Sequence, residues 1–576
     1  MFFLFIIVLG GTVMAQNNPV TKRGTLVKQI ESLRDFRAPD DATLVKVFDD
    51  NGNRIWPAGI ARPHYEYPVR PVDASYTDPL VQRNVATSPN GNLTTDAVLL
   101  GIEGLATGVN PMDPTICVGN NHVIELVNAA PSTRMKIWNK DGSVAVNEVL
   151  LQTLTGFPGY GDPIALYDQF SDRYIVTEFL IKGLNGSTEH GMVIMVSKTG
   201  DPTAGWNIYK WTIPEAFILD YPKWAVNTDG IYLHTNNFND ATSAYTSSYF
   251  AVFNKDDMYA GNTTFRSIRI TQSIGNGYAT CAAQVQGGTS PSGGQLFITE
   301  NNSNTATVIA LNTNWTSNTL TQSTAATITL SAFNETVCSA SRGACATQPS
   351  PGSAVEVLSF RIMNQPIVRV VPGYTGLVFC FTVNAGANTA GIRWVELKNT
   401  GSGWTLNQES TWHPNSNHQF MPSMAYDANG NIGLAYSTSS SSTFLSIRYT
   451  ARKACDPLGQ MTLAETSLRE GNAVSSGTRW GDYNHLIADP NGQSLWMVSM
   501  YGRSGASGGK GSYISRFDLE SCGPVSCAAP TGLTSSSVTT SSATVSWTAV
   551  SGANNYTVEY KTTAATTWTT AAAAAT

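Results

Sequence analysis

The chain has 576 residues, more than one hydrophobic core usually serves, with 13% charged residues, 10% aromatics and a net charge of −6. A mildly acidic chain without a basic patch has little with which to displace counterions from phosphates, which excludes nucleic-acid binding as its business. Abundant Ser, Thr, Asn, Gly and aromatic residues exclude global disorder and suit short strands joined by polar turns.

The first residues, MFFLFIIVLGGTVMAQ, form an apolar run followed by small residues. This predicts an export signal over residues 1–15 with a cut after Ala15, although no Lys or Arg precedes the run. The run is short for a membrane span, and no later stretch is apolar enough for one, so the mature chain is expected to be secreted or held at the cell surface. Eight cysteines agree with an oxidising destination. Cys338 and Cys345 bracket CSASRGAC, and Cys522 and Cys527 bracket CGPVSC; neither pair has zinc-ligand spacing, so local disulfides are predicted. Cys117, Cys281, Cys380 and Cys455 have no evident partner in the sequence.

Residues 16–95 read as a poorly structured leader or pro-segment, rich in Pro (Pro39, Pro57, Pro63, Pro68, Pro71, Pro79), with one strand-like stretch, TLVKVFDDNGNRIWP. An arm laid on the main domain and a plain linker are the alternatives. From residue 96 to 520 strand-sized runs alternate with Gly, Asn, Asp and Ser turns, and helical periodicity is lacking. A unit recurs there: an anchor of Asp, Gly or Pro, a short apolar strand, a turn, and a second strand. Its clearest copies begin at Gly161, Asp220, Met421 and Gly481, and weaker ones at Asp113, Ala282 and Val355. A spacing of about 60 residues, with room for four strands per copy, predicts an all-β fold, a β-propeller of seven blades with six or eight as neighbours in the count. Tandem β-sandwiches explain the strands but not the recurrent anchor. Residues 528–576 differ again in texture.

The segments GDPIALYDQFSDRYIVTEF, VSKTGDPTAGWNIYKW, DYPKWAV, SIRYTARKACDPLG and RWGDYNHLIADP resemble a group of large exported bacterial proteins with a propeller-like region and trailing fibronectin-type modules. The resemblance implies export and often surface display. A wider similarity is to sialidase-type propellers, but the S-x-D-x-G-x-x-W box is missing: WNKDGSVAV and YDANGNIGLAY lack its Ser and Trp. The tail resembles the first half of a fibronectin type III domain. Pro530 and Leu533 match its opening strand, Trp547 its buried tryptophan, and Tyr556, Val558 and Tyr560 the alternating strand that follows. The later strands are missing, which reads as a piece of a longer product with an open half-sandwich.

The sharpest constellation is Arg479, Trp480, Gly481, Asp482 and Tyr483, with His485 beyond, while Asp162 and Asp220 hold comparable anchors in other copies. Anchors that precede innermost strands face one mouth of a propeller channel. Asp162, Asp220 and Asp482 there make a candidate Ca²⁺ site, since Ca²⁺ takes hard oxygen ligands. With Tyr221, Trp480 and Tyr483 the same mouth is a candidate sugar site by stacking and hydrogen bonding. The plainer account of these residues is turn capping and packing between blades. Asp162, Glu178, Asp220 and Asp482 are the acids from which a glycosidase pair would come, and Arg173, Arg361, Arg448 and Arg479 the arginines for a sialic-acid carboxylate. HExxH and the phosphate-loop motif are absent from the sequence, and the SGASGGKGS segment reads as a turn. His413 and His418 sit in a Pro-containing loop and read as exposed. The sequence therefore predicts a binding or adhesion module for a glycan or an extracellular protein. A propeller-type glycoside hydrolase of the sialidase kind and a structural scaffold are the alternatives.

Overall fold

The computed structural model describes residues 19–36, 45, 47–49, 53–55, 57, 60, 73, 75–85, 98–183, 188–273, 278–301, 304–338, 343–359, 361–522, 530–548, 550 and 556–575. The expected signal peptide and Cys527 lie outside them. The chain falls into two compact units, Met1–Ser521 and Cys522–Thr576. Among the described residues no helix is long and apolar enough to cross a membrane.

The first unit is built of antiparallel four-stranded meanders. Sheet I comprises Thr115–Val118, His122–Val127, Arg134–Asn139 and Val144–Leu150; sheet II comprises Ile164–Asp168, Arg173–Leu180, His190–Ser197 and Trp206–Ile213. Sheet III follows with Phe217–Asn227, Gly230–Asn239, Tyr245–Phe253 and Thr264–Ser273, and sheet IV with Cys281–Ala282, Gln295–Asn301, Thr305–Asn314 and Thr319–Thr329. Sheet V holds Ile367–Val371, Tyr374–Gly386, Thr389–Asn399 and Trp404–Trp412, and sheet VI His418–Tyr426, Ile432–Ser440, Thr443–Arg452 and Thr466–Arg469. Sheet VII takes His485–Ala488, Ser494–Gly502 and Lys510–Asp518, and its outermost strand is Leu100–Glu103, from the N-terminal side of sheet I.

First strands of successive sheets touch in order: I on II, II on III, III on IV, V on VI, VI on VII, and VII back on I. Between IV and V the short strand Gln284–Gln286 pairs in parallel with Ile367–Val371. Apolar clusters fill the spaces between neighbours, for example Ile116, Trp138, Trp496 and Ile514 between I and VII. Each sheet is thus covered on both faces, which explains runs such as HGMVIMVS that are buried throughout instead of alternating. Trp206, Trp211, Trp224, Trp394, Trp412, Trp480 and Trp496 are fully buried. At about 25 cal/mol per Å² over 150–250 Å², each such side chain contributes roughly 4–6 kcal/mol of transfer free energy.

The recurrent anchor has a backbone cause. Asp113, Asp162, Tyr221 and Met421 have φ of 46°, 48°, 55° and 49°, each just before a proline, and Gly481 has φ 54°. At Tyr221 and Met421 the kink is a bulge inside the first strand. A left-handed residue turns the chain sharply into the innermost strand, and the following proline has no N–H left to satisfy there.

The described parts of the leader include strands that its composition did not predict. Val20–Ile30 is a strand that pairs antiparallel with the outermost strands of both sheet II and sheet III, joining them into one nine-stranded sheet. Its charges, Lys22, Arg23 and Lys28, hide a β-rich alternation in which Gly24 and Ile30 are buried. Gly24 is needed because a Cβ there would stand 2.0 Å from the Phe265 ring. Of the stretch expected to be a strand, Phe48 and Arg54 form an isolated antiparallel bridge. Val81–Gln82 adds in parallel to the edge of sheet V, where the fully buried Asp78–Arg393 ion pair (2.9 Å) ties the leader down.

Cys338 and Cys345 are joined as predicted, with Cα atoms 5.2 Å apart. Cys455, which the sequence left without a partner, is disulfide-bonded, as is Cys522. Cys117, Cys281 and Cys380 are free and buried. In the second unit Thr531–Ser536 pairs with Thr544–Thr548, and Tyr556–Tyr560 with Thr569–Ala575. Trp547 meets Tyr556 edge-on at 5.1 Å, while Leu533, Val538, Tyr560 and Trp568 are exposed.

Candidate functional site

The left-handed anchors bring most of the sequence-predicted residues to one place. Asp162 opens sheet II; its carboxylate accepts from Arg54 of the leader at 3.0 Å and from the Tyr483 hydroxyl at 2.7 Å. Its backbone N–H donates to Asn128, whose amide donates to Asp113 at 3.0 Å. Asp113 also accepts from the backbone N–H of Asp482 at 3.2 Å, and the Asp482 carboxylate takes Arg479. Arg479 reaches Glu356 as well. Sheets I, II and VII are therefore bolted to each other and to the leader by one charged network. Asp113, Asp162, Glu356 and Asp482 are all buried. Burial, followed by the charges of Asp482 and Asp162, pushes the Asp113 carboxyl well up from its ordinary range.

Beneath this network lies the axis. Lys223 donates to the Met363 carbonyl at 2.8 Å, and its ammonium sits 3.8 Å and 4.1 Å from the Tyr221 and Tyr483 ring centres. Burial lowers this ammonium to about 8. Tyr221 donates to Ile362 O at 2.9 Å, and Arg361 stacks on Tyr221 and bonds Tyr278. His485 meets Ile116 O through Nδ1 at 3.1 Å; burial lowers its imidazole to about 4, so it is neutral at physiological pH. The cavity among Lys223, Trp224, Tyr483, Asn484 and His485 has about 30 Å³, room for a water or two and not for a sugar ring.

Several predicted roles change with this geometry. Trp480 is fully buried and donates to Ser437, so it offers no ring face for stacking. Tyr221 and Tyr483 are also buried, under Lys223. Asp220 lies on the same strand as Tyr221, paired across to Asn236, and its charge acts on Arg361 and Tyr483. Among the described residues no group of three or more His, Cys, Asp or Glu is placed to hold a metal ion; of the carboxylates expected for Ca²⁺, Asp162 is taken by Arg54 and Tyr483, and Asp482 by Arg479. Glu178 stands beside Phe179, whose backbone bonds Tyr160 and Gly161 at the anchor, and carries no hydrogen bond to the charged network among the described residues. It is buried on sheet II beside Thr133 and Gly159, and burial pushes its carboxyl up to about 8. Arg173 and Arg448 are engaged elsewhere, by the Ser171 and Asp172 carbonyls and by Glu470. His413 is buried and bonds Gln419 at 2.6 Å, and His418 accepts from the Ala390 N–H, so neither is the exposed loop histidine expected.

A ligand-sized space lies elsewhere. A groove of about 540 Å³ runs along the outermost strand of sheet I, Val144–Leu150, and is walled by Leu33, Arg34 and Phe36 of the leader, Pro131 and Arg134. Arg134 pairs with Glu148 at 2.6 Å and Arg34 with Asp201 at 3.0 Å, so both cations are fixed and locally balanced. Sequence reasoning missed it because its two walls are about a hundred residues apart in the chain. The available signal was Phe36, an aromatic at the end of an alternating run.

No protein-family model matches the chain. No curated protein matches it. Among solved structures, a protein of unknown function from Dyadobacter fermentans is 11% identical, with a TM-score of 0.34, over 73% of this chain and 98% of that one. The endosialidase of phage phi92 is 8% identical, with a TM-score of 0.36, over 81% and 76%. An ulvan lyase of polysaccharide lyase family PL25 is 8% identical, with a TM-score of 0.37, over 76% and 95%. Likenesses this distant leave the activity of this chain to its own geometry.

Proposed function

We propose that this is an exported binding protein, in which sheets I–VII are the blades of a seven-bladed propeller and a glycan is held in the groove on sheet I. The observation that carries the reading is one of size. The axial cavity of about 30 Å³ admits no sugar, whereas the groove of about 540 Å³ falls in the range of roughly 300–1,000 Å³ typical of ligand pockets. Phe36 supplies an apolar face for a pyranose, and Arg34, Arg134, Asn147 and Glu148 supply donors and acceptors around it. Because the arginines are already balanced by carboxylates, an uncharged oligosaccharide is the favoured class. The anchor residues Asp113, Asp162, Asp482 and Tyr483 act as the internal frame of the ring, and the tail is the opening of a fibronectin type III module.

The test is a glycan array with the whole secreted chain, followed by titration and product analysis on any hit. Binding without release of sugar, unchanged by EDTA and weakened at least about tenfold by Phe36→Ala or Arg134→Ala, is the expected result. Release of sugar would make the protein a hydrolase or lyase and overturn the reading. Silence across the array, or binding insensitive to both variants, would overturn the glycan groove.

A further inference from the structure

The anchors lie at one end of the first strands; at the other end, around Val118, Tyr167, Gln286, Arg369 and Ile487–Pro490, the sheets enclose a second small cavity. We propose that this cavity binds one small monatomic anion, chloride, between Arg369 and Gln286.

The two residues are register partners in the parallel pairing of Gln284–Gln286 with Ile367–Val371, so their side chains stand together on one face. Arg369 is 6% exposed, and among the described residues no carboxylate stands within ion-pair distance of it; the charge that acts on it is that of Asp427. Asp489, at the cavity, is committed, accepting from Lys140 at 2.8 Å and from Trp496 at 3.0 Å, and Asp427 accepts from the neutral amide of Asn431. Gln286 is 5% exposed, and both its amide oxygen and its amide nitrogen are buried without a hydrogen-bond partner. A buried guanidinium without an ion pair is costly for a fold to carry, and a buried amide without a hydrogen-bond partner adds to that cost.

An anion bound here removes most of that cost, accepting from the guanidinium and from the Gln286 amide nitrogen together. Water alone would satisfy the amide and leave the charge balanced only by Asp427, beyond ion-pair distance. The guanidinium is also held in place: a Cβ on Gly287 or Gly492 would stand 3.1 Å from it, so glycine at both turns leaves room for it to cross from sheet V toward sheet VII. Size sets the class. The cavity is about 20 Å³, enough for one ion or one water and too small for sulfate, phosphate or a carboxylate-bearing sugar.

Thermal unfolding of the whole chain at constant ionic strength, with sodium gluconate replaced stepwise by sodium chloride, reads the site directly. The expected result is a saturable rise in Tm of about 2 °C or more, reproduced by bromide but not by sulfate. It should be absent in Arg369→Gln and reduced in Gln286→Leu. If Arg369→Gln does not fold, crystals of the parent chain grown in sodium bromide decide the matter, with an anomalous peak expected between Arg369 and Gln286. Equal chloride responses in parent and Gln286→Leu chains, or bromide crystals with no such peak, would overturn the proposal.

Discussion

Ionisable side chains in this protein are held far inside, and their surroundings decide what each can do. Glu178 is the clearest case. Its carboxyl is pushed up to about 8 by burial, so at neutral pH the folded state holds a proton that the unfolded state, titrating near 4.5, has released. Its contribution to stability is therefore full below about pH 4.5 and is lost as pH rises toward 8. Glu178→Gln is expected to raise the unfolding free energy by on the order of 3 kcal/mol at pH 7.5 and by much less at pH 5, as read by urea denaturation at the two pH values. An equal effect at both would mean that the carboxyl is not protonated in the fold. At this scale the anchors Asp162, Tyr221, Asp482 and Tyr483 were legible, because their spacing against short apolar strands is local information. Their partners were not. Arg54 reaches Asp162, and Lys223 reaches Tyr483, from other elements, and no local pattern marks a cation that arrives from far along the chain.

Elements that look dispensable in the sequence turn out to complete the sheets. The leader supplies the strand between sheets II and III and an extra strand on sheet V, and the segment just after it, Leu100–Glu103, is the outermost strand of sheet VII. In each place it covers an edge that would otherwise offer unpaired N–H and C=O groups. Arg393 shows how firmly: it bonds both carboxylate oxygens of Asp78, at 3.1 and 2.9 Å, and Glu409 at 3.0 Å, with no exposed surface. Asp78→Ala leaves that guanidinium short of a buried partner and is expected to cost about 3–5 kcal/mol in chemical denaturation. A cost below about 1 kcal/mol would mean that the leader segment is loosely attached. Charged and proline-rich composition concealed these strands, because an edge strand needs only a few ladder bonds and one buried face.

Closure governs the first unit as a whole. Leu100–Glu103, from before sheet I, pairs with the last strand of sheet VII, and Ile102 is buried in the cluster between those two sheets. Breaking that seam should weaken all sheets together. Ile102→Asp is expected to lower the Tm of the first unit by several degrees while leaving one cooperative calorimetric transition; separate transitions would show that the sheets melt independently. An all-β chain of repeated four-stranded units could be read from the residues alone, because strand periodicity, polar turns and the repeated anchor are local properties of the chain. The position of each residue around the ring, the burial of Trp480 and the anchor carboxylates, and the walls of the groove on sheet I depended on tertiary structure. They rest on contacts between residues tens to hundreds of positions apart, where pairing and desolvation, not local propensity, set the energy.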